Sequence, residues 1–237
     1  EKLVQPDLRA WNGAMTCCTR AEAWRMTLQM FNHLRSDSSS IEANEVSYNA
    51  ALSALERGQH WQPVLWMLEE MQQRQVRADV VTFNTSISAM QWGQQWEMAL
   101  HLFESSQRRK VEPSDVTIAA VLGACGKGLQ WQRSLDLFWR QEVSSSCAPK
   151  EAAVVSTMAV CGQCSQWREA LELFEEMARR KLQRNVVSHT AAVAACAKAE
   201  EFEHVEGLLH QMHQASIQCN AVTFTAQLQQ LPWTRAL

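Results

Sequence analysis

The sequence contains little proline or glycine and almost no tyrosine, with Pro 5, Gly 8 and Tyr 1 in 237 residues. Proline and glycine interrupt helices, whereas the abundant alanine, leucine, methionine, glutamine and glutamate favour them, so this composition predicts helix rather than strand. Hydrophobic residues make up 46% of the chain, which is ample for a core and argues against disorder over most of its length. We therefore expect an all-α protein.

A strong charge of one sign is also missing, because the formal net charge is only -3. This excludes binding to nucleic acid through bulk charge, but it leaves room for a narrow basic strip. No apolar run approaches the roughly 18 residues of a membrane span, so we expect no membrane partner. The eight cysteines are too few for a disulfide framework in a chain this large and indicate a reducing interior.

Tryptophan reveals an internal repeat. Five of the ten tryptophans, Trp24, Trp61, Trp96, Trp131 and Trp167, recur every 35 to 37 residues, and Phe202 continues the series. Seven residues after each aromatic the chain has Phe31, Leu68, Phe103, Phe138, Phe174 and Leu209. A period near 35 that is kept at several positions is typical of a solenoid repeat protein.

The register predicts six tandem units and parts of two more. The complete units are 8–44, 45–79, 80–114, 115–150, 151–185 and 186–220, with the end of a preceding unit at 1–7 and a partial seventh unit at 221–237. The run SDSSS (36–40) lengthens the loop of the first unit. Each unit has two stretches of helical periodicity, and neither can bury its apolar side alone, so neighbouring units must stack. We expect the array to continue beyond both ends.

Local strings resemble the pentatricopeptide repeat family. DVVTFNTSISAM (79–90), NEVSYNAALSAL (44–55) and EALELFEEMARRKLQRNVVSHT (169–190) are similar to its consensus. The tetratricopeptide pattern fits less well, because the eighth position carries Met15, Leu52, Ile87, Leu122, Met158 and Val193 where that family has glycine. The tryptophan that begins each second helix departs from the family, and the proline before the closing residue survives only as Pro113 and Pro149. The resemblance implies a right-handed superhelical solenoid of helix-turn-helix units.

The resemblance also implies that each unit binds one base of single-stranded RNA through its fifth and closing residues. The implied base-recognition residues are Asn12, Asn44, Asn49, Asp79, Asn84, Ser114, Thr190 and Asn220. By the family's code the bases would be pyrimidine, uracil, cytosine, two undefined positions and adenine, from 5′ to 3′. The undefined positions correspond to Ala119/Lys150 and Val155/Asn185. The alternative for each short polar residue is a plain helix cap.

Two further sets of residues follow from the resemblance. Apolar residues at the second position would wedge between bases, namely Val46, Val81, Val116, Val187 and Val222. Basic residues at the thirteenth position would contact phosphates, namely Arg20, Arg57, Lys127 and Lys198. The alternative for the basic residues is a solvated end of the first helix.

Other chemistry-bearing motifs are better explained by structure. Cys161 and Cys164 form a lone CxxC, and Cys161 shares the eleventh position with Cys18, Cys125 and Cys196, which indicates packing rather than a metal site. His210 and His213 lack further ligands at metal spacing, and the pairs Glu69/Glu70 and Glu175/Glu176 are interpreted as solvated charge. We expect no catalytic residues, no metal, no cofactor and no small-molecule substrate.

The expected function is therefore a sequence-selective, non-enzymatic RNA-binding module. The family places such arrays in mitochondria or chloroplasts, in RNA processing, editing, stability or translation, with protein effectors as further partners. The alternative is a helical-repeat scaffold for protein–protein interaction, which the acidic net charge and the two units with apolar fifth residues favour modestly.

Overall fold

A computed structural model describes residues 7–35, 42–144 and 151–229, and for 141–144 and 227–229 it describes the backbone alone. Within these ranges α-helix is the only regular secondary structure. The helices are α1 (Leu8–Arg20), α2 (Trp24–Arg35), α3 (Glu45–Arg57), α4 (Trp61–Gln73), α5 (Val80–Trp92), α6 (Trp96–Arg108), α7 (Asp115–Lys127), α8 (Trp131–Ser144), α9 (Glu151–Gln163), α10 (Trp167–Arg179), α11 (Val186–Lys198), α12 (Phe202–Gln214) and α13 (Ala221–Gln229).

The helices form consecutive pairs, and the chain divides into two compact bodies, residues 1–124 and 125–237. In the first body, α1, α3 and α5 pack in a row, with α2 against α1 and α3, and α4 against α3 and α5. In the second body, α9, α11 and α13 form the corresponding row, with α10 against α9 and α11. First helices thus lie side by side within each body, and second helices cover them from one side.

The core follows the sequence register. The eighth residue is fully buried in all six units, at 0% exposure for Met15, Leu52, Ile87, Leu122, Met158 and Val193. Aromatic residues of the second helices pack against first helices, as where Phe31 of α2 meets Tyr48 of α3 edge-on with ring centroids 5.0 Å apart. Apolar area removed from water at these positions supplies the main stabilisation of each stack.

The first helices end in tight turns that close with a hydrogen bond to a carbonyl five residues earlier. In the second unit, for example, the His60 N–H donates to the Leu55 carbonyl at 2.9 Å. This motif needs a residue in the left-handed region one step before the donor, and Gln59 occupies it with φ 58°. No glycine among the described residues has a positive φ, so the glycines of these turns must serve another purpose.

Gly93 shows what that purpose is. A Cβ built on this residue would lie 2.4 Å from Cδ1 and 2.5 Å from Cγ of Trp61, the tryptophan that begins α4 in the preceding unit. The indole ring therefore packs directly on the glycine backbone. Gly58 makes the same kind of contact with Trp24, where a built Cβ would lie 3.2 Å from the ring, so a turn glycine packs on the tryptophan of the preceding unit in two places.

We expect Gly93→Ala to destabilise the fold by about 1–3 kcal/mol, because the indole ring must shift to admit a methyl group in a well-packed contact. Urea denaturation monitored by circular dichroism measures the effect. Gly13→Ala is the matched control, since a Cβ at Gly13 meets nothing within 4 Å in the middle of α1. That control should stabilise the fold by about 0.5–1 kcal/mol through helix propensity. Equal effects of the two substitutions would contradict the packing role of Gly93.

The interpretation of the acidic pairs as solvated charge is wrong for Glu70. Glu70 is only 7% exposed, and its carboxylate pairs with Arg35 at 3.0 Å and with Arg74 at 3.0 Å. Charged groups are buried only when they are paired, so Glu70 links α2 to α4. Glu176 likewise pairs with arginines of its own helix end and is half-buried, whereas Glu69 and Glu175 are exposed.

Several predicted features lie outside the described residues. These are residues 1–6 of the preceding unit, the loop run at 36–40, Pro149 and Lys150 at the end of the fourth unit, and 230–237 of the partial seventh unit. No helix in the described part of the chain has both the length and the apolar character to cross a membrane.

Candidate nucleic-acid interface

In the five units whose closing residue is described, that residue caps the first helix of the next unit. The Asn44 side chain accepts from the Ser47 backbone N–H at 3.1 Å, and the Asp79 side chain accepts from the Thr82 N–H at 2.8 Å. Asn185 does the same for α11. The capping role that sequence analysis held as an alternative is therefore real, because these side chains satisfy backbone donors that a helix start leaves open.

In four units the closing residue is also joined to the fifth residue of the same unit, about 30 residues earlier in the chain. The Nδ2 of Asn49 donates to Asp79 Oδ1 at 3.1 Å, and the Nδ2 of Asn84 donates to Ser114 Oγ at 3.0 Å. The outer units have the equivalent bonds, Asn12 Nδ2 to Asn44 Oδ1 at 3.1 Å and Asn220 Nδ2 to Thr190 Oγ1 at 2.8 Å. All eight predicted base-recognition residues thus form four hydrogen-bonded pairs.

A third residue, which sequence analysis did not single out, orients three of these pairs. The Thr82 hydroxyl lies 2.7 Å from Asn49 Oδ1 and 2.8 Å from Asp79 Oδ1, so its proton is given to one oxygen or the other. Ser47 lies at the same place beside Asn12, and Thr117 beside Asn84. The repeated Ser or Thr three residues after the closing residue is the sequence feature that marks this role.

These bonds determine what the fifth asparagine presents outward. In the second unit, the Asn49 Oδ1 faces the Thr82 hydroxyl and one Nδ2 proton goes to Asp79. The second Nδ2 proton takes part in neither bond. A ligand approaching Asn49 therefore meets an N–H donor, held in a fixed direction by two neighbours.

The two units with apolar fifth residues differ. Val155 and Ala119 are half-buried and carry no polar group. In the fifth unit the Nδ2 of Asn185 donates instead to Oε1 of Glu151, the first residue of the unit, while its Oδ1 caps α11. Lys150 of the fourth unit lies outside the described residues.

A first-position carboxylate also lies beside the closing residue in the second unit. The interaction with Asp79, together with burial, raises the pKa of the Glu45 carboxyl. Burial acts to raise the pKa of Asp79 as well, but the hydrogen bonds from Thr82 and Asn49 and the nearby Glu45 carboxyl outweigh it and lower that pKa. Of the two carboxyls, Asp79 therefore loses its proton at the lower pH.

The predicted wedge valines are all exposed. Val46, Val81, Val116, Val187 and Val222 keep between 47% and 62% of their surface accessible. Exposed branched aliphatic side chains are uncommon at so regular a spacing, since burial would stabilise the fold. Each follows the closing residue by two positions, so an apolar side chain stands next to every described polar pair.

The predicted phosphate ligands lie at the carboxyl ends of first helices. Arg20, Arg57, Lys127 and Lys198 are the last residues of α1, α3, α7 and α11 and are exposed. Lys198 also donates its Nζ proton to the Gln163 carbonyl at the end of α9, which joins two neighbouring thirteenth positions. Cations at helix carboxyl ends are stabilised by the helix dipole.

In the first body, three predicted residue classes line one groove. A cleft of about 310 Å³ between α1 and α3 is bordered by Arg20, Arg57, Val46 and Asn49. Glu56 lies there too, and sequence reasoning missed it. Burial raises the pKa of its carboxyl against the opposing effects of a Ser88 hydrogen bond and the Arg57 charge. Base-edge, apolar and cationic groups therefore occupy the same side of the first-helix row.

The cysteines do not belong to this surface. Cys125, Cys161 and Cys196 are buried, and burial raises the pKa of their thiols to about 11, 12 and 11, so they remain protonated packing groups at neutral pH. Cys18 is half-buried at the same register position. Across residues 7–35, 42–144 and 151–229, His, Cys, Asp and Glu form no cluster of three or more with the arrangement of a metal site.

Two family models match the chain. The model described as pentatricopeptide repeat domain matches residues 66–128 and 172–230, together more than half of the sequence, and the model described as PPR repeat matches 46–76 and 156–182. The chain belongs to the pentatricopeptide repeat family. The family resemblance found in the sequence is thereby confirmed. None of the curated proteins matches this pentatricopeptide array significantly in sequence.

Solved structures agree on the fold. The pentatricopeptide repeat protein PPR10 from maize matches with a TM-score of 0.74 and 24% identity, over 93% of this chain and 31% of that one. PPR10 in complex with an 18-nt psaJ RNA element matches with a TM-score of 0.62 and 15% identity, over 94% of this chain and 37% of that one. The pentatricopeptide array thus spans about a third of PPR10.

A shorter structure is matched along its entire length. The PPR domain of protein-only RNase P 1 from Arabidopsis thaliana, in complex with tRNA, matches with a TM-score of 0.65 and 11% identity, over 81% of this chain and 100% of that one. The predicted all-α fold of stacked helix pairs is confirmed.

Proposed function

We propose that this pentatricopeptide array binds single-stranded RNA in a sequence-selective manner, with one base for each helical pair. The observation that carries the proposal is the repeated joining of a fifth and a closing residue by a hydrogen bond, at 2.8–3.1 Å in four units, each beside an exposed valine. A plain cap needs only the closing residue. Polar pairs alternating with apolar side chains match unstacked bases, which offer hydrogen-bonding edges and flat faces in turn.

The relatives of known structure support the proposal. PPR10 was solved with an RNA element and the PPR domain of RNase P 1 with tRNA. The assigned bases are pyrimidine, uracil, cytosine, undefined, undefined and adenine, and the array itself acts by binding rather than catalysis. From the habit of the family, the proposed setting is a mitochondrion or chloroplast, in RNA processing, editing, stability or translation, with protein effectors recruited to the bound strand.

The test is a titration of labelled single strands that carry pyrimidine-U-C-N-N-A, monitored by fluorescence anisotropy. We expect the matched strand to bind at least about tenfold more tightly than a scrambled strand of the same composition, because each well-formed base pairing contributes about 1–3 kcal/mol. Equal binding of both strands would overturn base reading. An absence of RNA binding would favour the protein scaffold instead.

A single substitution tests the second unit. Asn49 presents an N–H donor, which matches the carbonyl groups of uracil and opposes the N1–H and N2–H₂ donors of guanine. A threonine hydroxyl can donate inward to Asp79 and accept from guanine. We expect Asn49→Thr to shift the preference at this base from uracil to guanine, by about tenfold in affinity ratio. Strands that differ only at the second base measure the shift, and the third base, read by Asn84 and Ser114, serves as the internal control.

A further inference from the structure

The fifth unit, 151–185, has an apolar fifth residue and is the case where the family's base code makes no assignment. Val155 offers neither a donor nor an acceptor. Its closing residue, Asn185, nevertheless has three hydrogen-bond partners. The Asn185 Oδ1 accepts from the Val187 N–H at 2.9 Å and from the Ser188 N–H at 3.0 Å, and Nδ2 donates to Glu151 Oε1.

Those bonds make the Glu151 carboxylate the partner of the closing residue, a role that the fifth residue's amide or hydroxyl has in other units. In the second and third units the closing residue is joined to Asn49 or Asn84. In the fifth unit the same role falls to the first residue of α9, four positions earlier in the chain. Glu151 is half-buried, so its carboxylate keeps access to solvent or to a ligand.

The second unit, in the other body, has a related arrangement. Glu45 also occupies a first position, and its interaction with the closing residue Asp79 raises the pKa of its carboxyl. A first-position glutamate therefore lies near the closing residue in both units. In the second unit Asn49 bonds to the closing residue, whereas Val155 of the fifth unit has no polar group for such a bond.

We propose that Glu151 acts as a specificity residue of the fifth unit and makes that unit select guanine; this rests on the proposed function. A carboxylate only accepts hydrogen bonds, and it matches two adjacent donors best. Guanine alone presents two neighbouring donors, N1–H and N2–H₂, on its Watson–Crick edge. The second Nδ2 proton of Asn185 supplies the donor that the guanine O6 requires.

The other three bases match the Glu151 carboxylate less well than guanine does. Adenine and cytosine each present an amino group next to a ring nitrogen acceptor, and uracil presents N3–H between two carbonyl oxygens. Each brings at least one acceptor towards the carboxylate, and two facing acceptors repel each other. Val155 contributes an apolar surface beside the base and no competing hydrogen bond.

The experiment uses four labelled RNAs of sequence C-U-C-A-X-A that differ only at X, with affinity measured by anisotropy for the full chain. We expect guanine at X to bind about five- to tenfold more tightly than the other three bases. Glu151→Gln retains the size of the side chain but replaces one acceptor with a donor, and it should reduce that preference to within about twofold. Uracil preference at the second base should stay unchanged in the variant.

Glu172→Gln on the exposed side of α10 is the matched control for loss of one negative charge, and it should leave the guanine preference intact. Equal affinities for the four RNAs, together with clear uracil preference at the second base, would overturn the role of Glu151 and leave the proposed function standing. Guanine preference that persists in Glu151→Gln would overturn it as well. Failure to bind any of the four strands would overturn both proposals.

Discussion

Replacing both Arg20 and Arg57 with glutamate should lower the affinity of the array for the proposed RNA strand by about 100-fold at moderate salt. Both guanidinium groups line the groove that also contains Val46 and Asn49, so they lie beside the proposed path of the strand. Each reversal removes a cation from a phosphate and places an anion next to it. The nearby Glu56 carboxyl adds to the repulsion, because its charge is no longer offset by Arg57.

Salt dependence is the decisive measurement for this pair. For single strands, the slope of log affinity against log salt becomes shallower by about 0.7 for each phosphate that the protein no longer neutralises. The slope of the double variant should therefore be shallower than that of the unmodified chain by about 1.4. Arg25→Glu with Arg108→Glu is the control, since both arginines are exposed on second helices and the change in formal charge is the same. A similar loss of affinity in the control would mean that overall charge, rather than the groove, governs binding.

Val81→Asp combined with Val116→Asp should weaken RNA binding by about 30- to 100-fold. The two valines are 50% and 62% exposed, and each is proposed to stack against a base. Loss of stacking costs about 1–3 kcal/mol for each base, and a carboxylate at the same place also repels the phosphates. Because both side chains already face solvent, the free energy of unfolding should change by no more than about 0.5 kcal/mol.

Two further variants separate stacking from charge. Val81→Thr with Val116→Thr keeps the branched shape and should lose less than about tenfold in affinity. Met26→Asp introduces a carboxylate at a residue with 53% exposure on α2 and should bind RNA like the unmodified chain. If Met26→Asp weakened binding as strongly as the valine variants, the valines would have no special place in the interface.

The fold was predictable because repetition samples the same requirement six times. A single methionine at position 15 says little about burial. Six apolar residues at equivalent positions show which face of the first helix is buried in every unit. The fifth and closing residues were found by resemblance to the family, and their meeting in space followed from helix pairing. Without that fold, a spacing of about 30 residues would not indicate that the two residues are in contact.

Other features could not be predicted because they depend on what lies next to a residue in space. Glu70 has the same sequence surroundings as an exposed glutamate, yet Arg35 and Arg74 converge on it from α2 and from the end of its own helix. The turn glycines look like left-handed caps, but Gly93 leaves space for Trp61 while the next residue takes the positive φ. Glu151 becomes notable only once its partner at the start of α11 is placed beside it.

Each closing side chain that joins a fifth residue has two roles: it caps the helix that follows and it completes the polar pair of its own unit. This double role matters when such arrays are truncated or recombined. The smallest transferable element is not the 35-residue period itself, because the hydrogen-bonded group of one unit includes the hydroxyl three residues into the following unit. A fragment ended at Asp79 would keep the bond between Asn49 and Asp79 but lose the Thr82 hydroxyl that fixes the Asn49 Oδ1. Changing the closing residue of one unit will therefore also change the stability of the helix that follows it.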